Sequence, residues 1–299
     1  MARRIVSFLP SATEMIYALG AQDMLHGVTH ECDRPPEAAS KPKVIRSSFD
    51  PAAMSSKEID DATARAGEGV FVLDEKALME ARPDLIIAQD TCKVCAPHSA
   101  QAARALEIVD GARAHSMDPH DMAGILDSIT DLAGVIGREG EGREIRGALE
   151  ERIAAAGAAG PGPRVLALEW VDPLYTSGHW VPDMIAAAGG TDAVGAAGAH
   201  SRRMDMEEAA ASDPDKVVLM PCGFDAARAE SEYRGSLATN VRWRQMRAVA
   251  EGEVYAVDSA AYFTRPGIGV AAGVEIIANI LRPGSADAPR GACKKMGPP

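Results

Sequence analysis

The chain has 299 residues, 46% of them hydrophobic and 25% charged, with 31 Lys and Arg against 43 Asp and Glu for a formal net charge of −12. That length is enough for two domains with a core each, and the composition is that of a globular protein. The negative balance and the lack of any Lys or Arg cluster argue against nucleic acid as a partner and against an anionic membrane surface.

In chain order, Arg4–Gly20 reads as an apolar strand, a Pro10-Ser11 turn, and a helix that stops on glycine. The strands expected in a first lobe are Ile5–Phe8, Gly27-Val28, Val44, Phe71–Leu73, Leu85–Ala88 and Glu107–Val109. They alternate with helices at Ser11–Leu19, Lys57–Gly67, Glu75–Glu80 and Pro97–Leu106, a pattern that predicts a parallel sheet covered by helices. From Pro119 to Ala156 the strand signal disappears. Met122, Ile125, Leu126, Ile129, Leu132, Ala133 and Ile136 recur at helical spacing, and after a break at Gly137–Gly142 a second helix runs through Leu149 and Ile153. The run Gly157–Pro163 is a stop, and from Arg164 the α/β alternation resumes, closing with a strand at Val254–Val257 and a helix from Gly267 to Leu281. The stretch beyond Pro283, rich in Gly, Ala and Pro, is expected to be disordered.

One pattern occurs twice. The apolar strand, break and helix that start at Arg4 return at Arg164, with a longer loop through Asp172-Pro173 before the helix Val181–Ala188. Likewise Arg82-Pro83-Asp84 followed by Leu85–Ala88 and Cys92 is matched by Asp213-Pro214-Asp215 followed by Lys216–Leu219 and Cys222. A duplicated half predicts two similar lobes and a cleft, although buried parallel strands all read as apolar runs and some likeness follows from that alone. The expected layout is therefore an α/β fold of two Rossmann-like lobes with parallel sheets joined by a long helical backbone. Its segments are 1–117, a helical connector at 118–158, a second lobe at 159–283 and a disordered tail at 284–299.

Several stretches carry a family resemblance. They are Ile5–Glu14, Gly27–Ala38 with His30-Glu31-Cys32-Asp33, Ala81–Ile86, Pro173–Gly178 followed by a helix and Gly189-Gly190, and Ala261-Tyr262-Phe263-Thr264-Arg265-Pro266. In order and spacing the chain resembles the class III, helical-backbone periplasmic binding proteins of ABC importers for cobalamin, haem and ferric siderophores, the cobalamin-binding type above all. The resemblance implies a non-enzymatic, monomeric binding protein that needs no cofactor of its own. Its ligand, a cobalamin-like corrinoid or an iron chelate, would lie between the lobes, with an ABC permease as partner. Carried over by position, the cleft is lined by Thr29–Asp33, Asp90–His98, Tyr175–Trp180 and Tyr262–Arg265, with Glu31, Asp90, Tyr175, His179, Trp180, Tyr262, Phe263 and Arg265 as ligand-binding residues. A flat ligand with a polar rim calls for aromatic faces and a few directed polar groups. The sequence departs from the pattern at Ala261, where a carboxylate is expected, and at Cys92–Cys95, where a tryptophan is expected.

Cys92-Lys93-Val94-Cys95 places two sulfurs at a spacing that can hold one soft metal ion, and Cys32 and His30 on a neighbouring loop could complete a zinc or iron-sulfur site. A redox dithiol and plain packing are the alternatives, because unreactive cysteine is among the most buried residue types. Trp170 and Trp180 are read either as a stacking surface or as core anchors, and His179 either as a ligand or as a surface residue at a helix start. Five cysteines without a regular framework suit a reducing compartment or a metal site better than a disulfide scaffold. The short apolar run after Met1–Arg4 reads as the first core strand rather than a signal peptide. The expected location is accordingly the cytoplasm, with export as the alternative should the start site be mis-assigned. No Walker loop, Gly-x-Ser-x-Gly turn or His-Glu-x-x-His helix occurs, which argues against an enzyme. The rival function is a cytosolic metal- or corrinoid-handling protein that uses Cys32, Cys92 and Cys95 as ligands. A nitrogenase-like cofactor scaffold fits less well, given the connector and the chain length.

Overall fold

The computed structural model describes residues 3–89, 99–158 and 162–298. They form two compact α/β units. The first comprises the chain to Met54, Asp61–Pro119 and Ala123–Arg146; the second comprises Ser55–Asp60, His120–Met122 and Gly147 to the C-terminus.

The first unit carries β1 (Ile5–Ser7), β2 (Leu25–Thr29), β3 (Lys43–Ser47), β4 (Phe71–Leu73), β5 (Leu85–Ala88) and β6 (Arg113–Ser116), in the order β4-β3-β2-β1-β5-β6. All neighbours are parallel except β3 and β4, so the expected all-parallel sheet carries one antiparallel edge strand. Strands β1 and β5 are buried along their whole length, as the interior strands of a sheet covered on both faces must be. Val6, Phe8, Val44, Ile45, Leu78 and Ile86 form its core.

The expectation of a strand at Glu107–Val109 is overturned. Glu107 and Ile108 close the helix Ser99–Ile108, Gly111 turns the chain with φ of 78°, and the strand is Arg113–Ser116. An Asp-Gly turn separates helix from strand here, and the apolar Ile108-Val109 pair on its helical side mimicked a strand.

In the second unit, β7 (Arg164–Val171), β8 (Leu174–Thr176), β10 (Lys216–Leu219), β11 (Val254–Val257) and β12 (Cys293–Met296) lie in the order β12-β11-β10-β7-β8, with β9 (Thr191–Asp192) also paired to β7. The parallel heart β7-β10-β11 is flanked by antiparallel β8 and β12. The core gathers Leu166, Leu168, Val217, Leu219, Val254 and Ala256 with Tyr233 and Trp243. Trp243 is fully buried and its indole N–H donates to the Tyr233 hydroxyl at 3.4 Å. The closing helix Val270–Leu281 is apolar nearly all round and almost wholly buried, which is how a helix inside a unit reads. Its one carboxylate, Glu275, takes both prongs of Arg152 at 2.9 and 2.7 Å, so the charge that enters the core enters paired.

The tail departs from the expected disorder. Strand β12 pairs antiparallel with β11, Met296 packs into the core, and the Lys295 ammonium reaches Glu253 at 2.5 Å. Of the four residues of β12 only Met296 is buried, and so short a strand does not stand out against a Gly- and Pro-rich background.

In chain order, the helices Met122–Ile136 and Glu139–Ala156 follow β6 and precede β7. The break expected across Gly137–Gly142 is confined to Gly137 (φ 74°) and Arg138, because Gly140 and Gly142 continue the helix. The division between the two units falls inside that helix, after Arg146.

Candidate ligand-binding site

In the first unit, β2 runs directly into Thr29–Asp33. Cys32 is 1% exposed and its sulfur lies 3.2 Å from the Thr13 hydroxyl and 3.3 Å from that of Thr29. Burial pushes its thiol pKa up, only partly countered by the two hydroxyls. These are the surroundings of a packed, protonated thiol, whereas a metal ligand or nucleophile works as thiolate. Glu31 is exposed on the same turn, and its backbone N–H donates to the Thr29 hydroxyl. The His30 ring stands 6.2 Å from Phe71 and its buried Nδ1 has no hydrogen-bond partner among the described residues. Burial lowers its pKa, partly countered by a hydrogen bond with the Ile45 backbone and reinforced by Lys43 and Arg46. Asp90, Cys92 and Cys95 lie outside the described residues. Among the described residues, no group of three or more His, Cys, Asp or Glu side chains could hold a metal ion.

The second unit builds a more elaborate structure at the carboxyl ends of β7, β10 and β11, the end of a parallel sheet where α/β proteins bind ligands. Past β7 the chain makes the β8 hairpin and then a turn, Ser177-Gly178-His179, that is laced to the stretch 192–203. Ser177 donates its hydroxyl to the Asp192 carboxylate at 2.5 Å. The Gly178 N–H donates to Glu169 Oε1 at 2.8 Å, and the Thr176 N–H to the Arg202 carbonyl at 2.9 Å. His179 donates its N–H to Ala199 O at 2.6 Å and accepts from Gly198 N–H at 2.9 Å.

The two stretches approach so closely that only glycine fits at position 178. A Cβ there would stand 2.3 Å from Ser201 N and 2.7 Å from Ala199 O. At Gly195 a Cβ would fall 2.1 Å from the Ser177 hydroxyl. His179 itself holds a left-handed φ of 49°, a conformation that costs a non-glycine residue on the order of 1 kcal/mol and persists where its surroundings over-determine it.

Trp180 then starts the helix Val181–Ala187, with Pro182 in the first turn. Its indole N–H donates to the Phe263 carbonyl at 2.8 Å, which fastens the turn to the segment Ser259–Arg265. That segment begins as a one-turn helix whose Asp258 cap accepts from Ala261 N–H at 3.0 Å, and it is held to the loop after β10 by Gly223 N–H on the Thr264 hydroxyl at 3.3 Å.

Trp180 is 9% exposed and Phe263 2%, so the two are struts of this site and not a face against which a flat ligand can stack; the stacking expectation for them is corrected accordingly. Tyr175, His179, Tyr262 and Arg265 are partly exposed. The Tyr175 hydroxyl accepts from Arg203 Nε at 2.9 Å, and the guanidinium also reaches Asp60 at 2.7 Å. Trp170 meets Phe224 edge-on at 5.4 Å and donates its N–H to Ser56 O at 3.2 Å, which makes it a loop anchor. Two residues were missed by sequence reasoning: His120 and His200, both exposed, whose rings gather around His179. His120 lies 59 positions before His179 and His200 lies 21 after it, so no common motif or spacing announced them.

Two α/β units, each a mostly parallel sheet ending in shaped loops and joined in the chain by helices, define a binding-protein fold. The periplasmic binding protein family model matches residues 5–261, and the chain belongs to that family. Solved structures share the fold at low identity. A periplasmic heme binding protein from Pseudomonas aeruginosa is 17% identical over 99% of both chains with a TM-score of 0.73. The periplasmic vitamin B12 binding protein BtuF of Vibrio cholerae is 19% identical over 94% of this chain and 97% of its own, with a TM-score of 0.69. A possible iron-binding, periplasmic solute-binding protein from Staphylococcus epidermidis is 17% identical over 94% of this chain and 100% of its own, with a TM-score of 0.67. No curated protein is significantly similar in sequence. No helix among the described residues is long and apolar enough to cross a membrane.

Proposed function

We propose that the chain is the substrate-binding component of an ABC-type uptake system and that it holds a metal chelate, a corrinoid or an iron chelate such as haem, without chemical turnover. The observation that carries this reading is the hydrogen bond from the Trp180 indole to the Phe263 carbonyl. It joins the turn bearing His179 to the segment bearing Tyr262 and Arg265, so an aromatic ring, a cation and an imidazole share one rim at the carboxyl ends of the strands. An aromatic face with a few directed polar groups is what a large, flat, polar-edged ligand requires. Relatives of the same fold include a heme binding protein and a vitamin B12 binding protein, which supports that ligand class. Among the described residues nothing specific favours the rival reading, a thiol-based metal handler, since Cys32 is packed between two threonines.

The test is calorimetric titration of the full chain with cyanocobalamin, cobinamide and haemin, alongside Tyr262→Ala and Arg265→Ala. At least one ligand is expected to bind with a micromolar or tighter Kd, which corresponds to about −8 kcal/mol. Each variant is expected to weaken it by roughly tenfold or more, near 1.4 kcal/mol. Absence of binding by all three ligands at micromolar concentration overturns the reading.

A further inference from the structure

The second unit holds a pocket that the chelate reading leaves unused. It has a volume of about 260 Å³ and lies among three pieces of chain: the tip of the β7–β8 hairpin, the stretch that leads into the helix Met206–Ala211, and the turn from Ser236 to Asn240. Its apolar lining is Val171, Leu174, Met204, Met206 and Leu237, and all of these but Met206 are buried. None of the lining residues is among those named for the chelate, and all belong to the second unit.

Each wall is fixed by backbone structure. Met204 N–H donates to Leu174 O at 3.0 Å, which ties the second piece to the hairpin. The helix Met206–Ala211 starts on its Asp205 cap, whose carboxylate accepts from Glu208 N–H at 2.8 Å. In the third piece the Asn240 carboxamide oxygen accepts from Trp243 N–H at 3.0 Å, and the Ser236 hydroxyl donates to Glu232 O at 2.7 Å. Those polar groups are committed to their own backbone. Asp172 differs: it lines the pocket partly buried, and among the described residues its carboxylate accepts no hydrogen bond and forms no ion pair. Neighbouring guanidiniums do not neutralise it, since Arg203 is paired with Asp60, Arg234 with Glu230 and Arg242 with Glu207.

A carboxylate partly withdrawn from water beside apolar side chains gains from a cation that reaches it there, because a charge-assisted hydrogen bond is stronger where water competes less. The Ser236 hydroxyl, its proton committed to Glu232, presents only lone pairs to the same cation. Apolar walls call for a hydrocarbon body on that cation, and two methionines let the walls adjust to its shape. Volume sets the size. The pocket's 260 Å³ lies below the roughly 300–1,000 Å³ of pockets for drug-sized ligands. It equals the share of about nine liquid waters at roughly 30 Å³ each, which is room for one short chain or one ring and not for a macrocycle.

We infer that this pocket binds a small organic ammonium ion, with its nitrogen on the Asp172 carboxylate and its hydrocarbon body against Met204, Met206 and Leu237. The probe is n-hexylammonium, with hexanoate and hexanol as counterparts of the same length, titrated into the full chain carrying methyl-labelled methionine. Hexylammonium is expected to bind with a submillimolar Kd, roughly tenfold or more tighter than either counterpart. It should shift the methyl resonances of Met204 and Met206, assigned through Met204→Leu and Met206→Leu. Asp172→Asn keeps the size of the side chain and removes its charge, and is expected to weaken hexylammonium by roughly tenfold or more with the unfolding midpoint unchanged. Equal affinity for the three ligands, shifts confined to other methionines, or undiminished affinity in Asp172→Asn each overturns the assignment. The comparison of the three ligands needs the wild-type chain alone, so it decides the matter even where the variant does not fold. The pocket shares no residue with the chelate site tested through Tyr262 and Arg265, so either reading can fail without the other.

Discussion

The two units start alike and part company at the same point, the link from first strand to first helix. In both, the residue before a Pro-Asp pair is left-handed: Arg82 has φ of 44° and Asp213 of 38°. In both, the aspartate N–H then docks on the first strand, Asp84 on Arg4 O and Asp215 on Arg164 O, each at 2.9 Å. The strand ends are tied in both units, but with donor and acceptor exchanged: Phe8 N–H after β1 donates to Ile87 O of β5, whereas Met220 N–H after β10 donates to Leu168 O of β7, each at 2.9 Å. Yet the first unit joins β1 to its helix through Phe8 and Leu9 alone, both buried, while the second inserts residues 172–180 with a hairpin and a strained turn. A two-residue link has no room for anything beyond packing, whereas a long one can display polar groups and must then be braced. The second unit supplies that bracing through Asp192, Glu169, Gly178 and the Trp180–Phe263 hydrogen bond.

Removing the brace should cost most. Trp180→Ala deletes a buried indole and is expected to destabilise the chain by about 4 kcal/mol, in the usual range for buried aromatics, read as a lower urea midpoint. Trp180→Phe keeps most of the volume and leaves the Phe263 carbonyl without its donor, for about 1–2 kcal/mol. If the two variants fall equally, the indole N–H is the whole of the brace; if Trp180→Phe is neutral, the link stands on packing alone, as in the first unit.

Gly178→Ala comes next. Its Cβ would collide with the backbone at Ser201 and Ala199, which cannot yield as a side chain can, so the two stretches must separate. A loss of about 2–3 kcal/mol is expected, together with loss of the His179–His200 contact, visible as altered imidazole resonances in an NMR spectrum. Wild-type stability would show that the close approach is not needed.

The contrast between the units also marks how far sequence reasoning reached. The repeat was legible because Pro-Asp before an apolar run and a strand ending at a helix are local patterns with fixed period and punctuation. Tyr262, Arg265 and His179 were named from family resemblance, and their part in ligand binding is what the titrations test. The burial of Trp180 and Phe263 was not legible, since an aromatic at a loop end reads the same whether its ring faces a ligand or a neighbouring carbonyl. The meeting of His120, His179 and His200 was not legible either, because it is made by tertiary contacts among segments with no shared pattern. Strand β12 escaped for a third reason: pairing with β11, and not its own composition, gives it structure.

A smaller effect is expected at the other end of β11, away from the carboxyl-end loops. Burial alone would raise the pKa of Glu253, but hydrogen bonds from Lys216, Lys295 and the Tyr255 hydroxyl bring it down from 4.5 to about 2. A carboxylate with a depressed folded-state pKa adds stability that is complete above the unfolded value and disappears as pH falls from about 4.5 towards about 2. Because the group is partly exposed, Glu253→Gln should cost only about 1–2 kcal/mol at pH 7. The variant and wild type should converge in stability as pH approaches 2. A gap that persists at pH 2 would mean that packing, and not charge, holds β12 to β11.

The smallest effect belongs to Cys32, where the first unit's inert character can be tested directly. Its thiol is buried between Thr13 and Thr29 with a raised pKa, so it should resist iodoacetamide at pH 8 in the folded chain and react fully in urea, as peptide mapping would show. Cys32→Ala takes the sulfur from both hydroxyls, of which that of Thr29 keeps the Glu31 N–H, and should cost about 1 kcal/mol. Cys32→Ser restores a hydrogen-bonding atom of slightly smaller size and should cost less, provided the hydroxyl finds the same two threonines. Rapid labelling of Cys32 in the folded chain would overturn the packed reading, because a thiol that reagents reach is one that the turn after β2 displays.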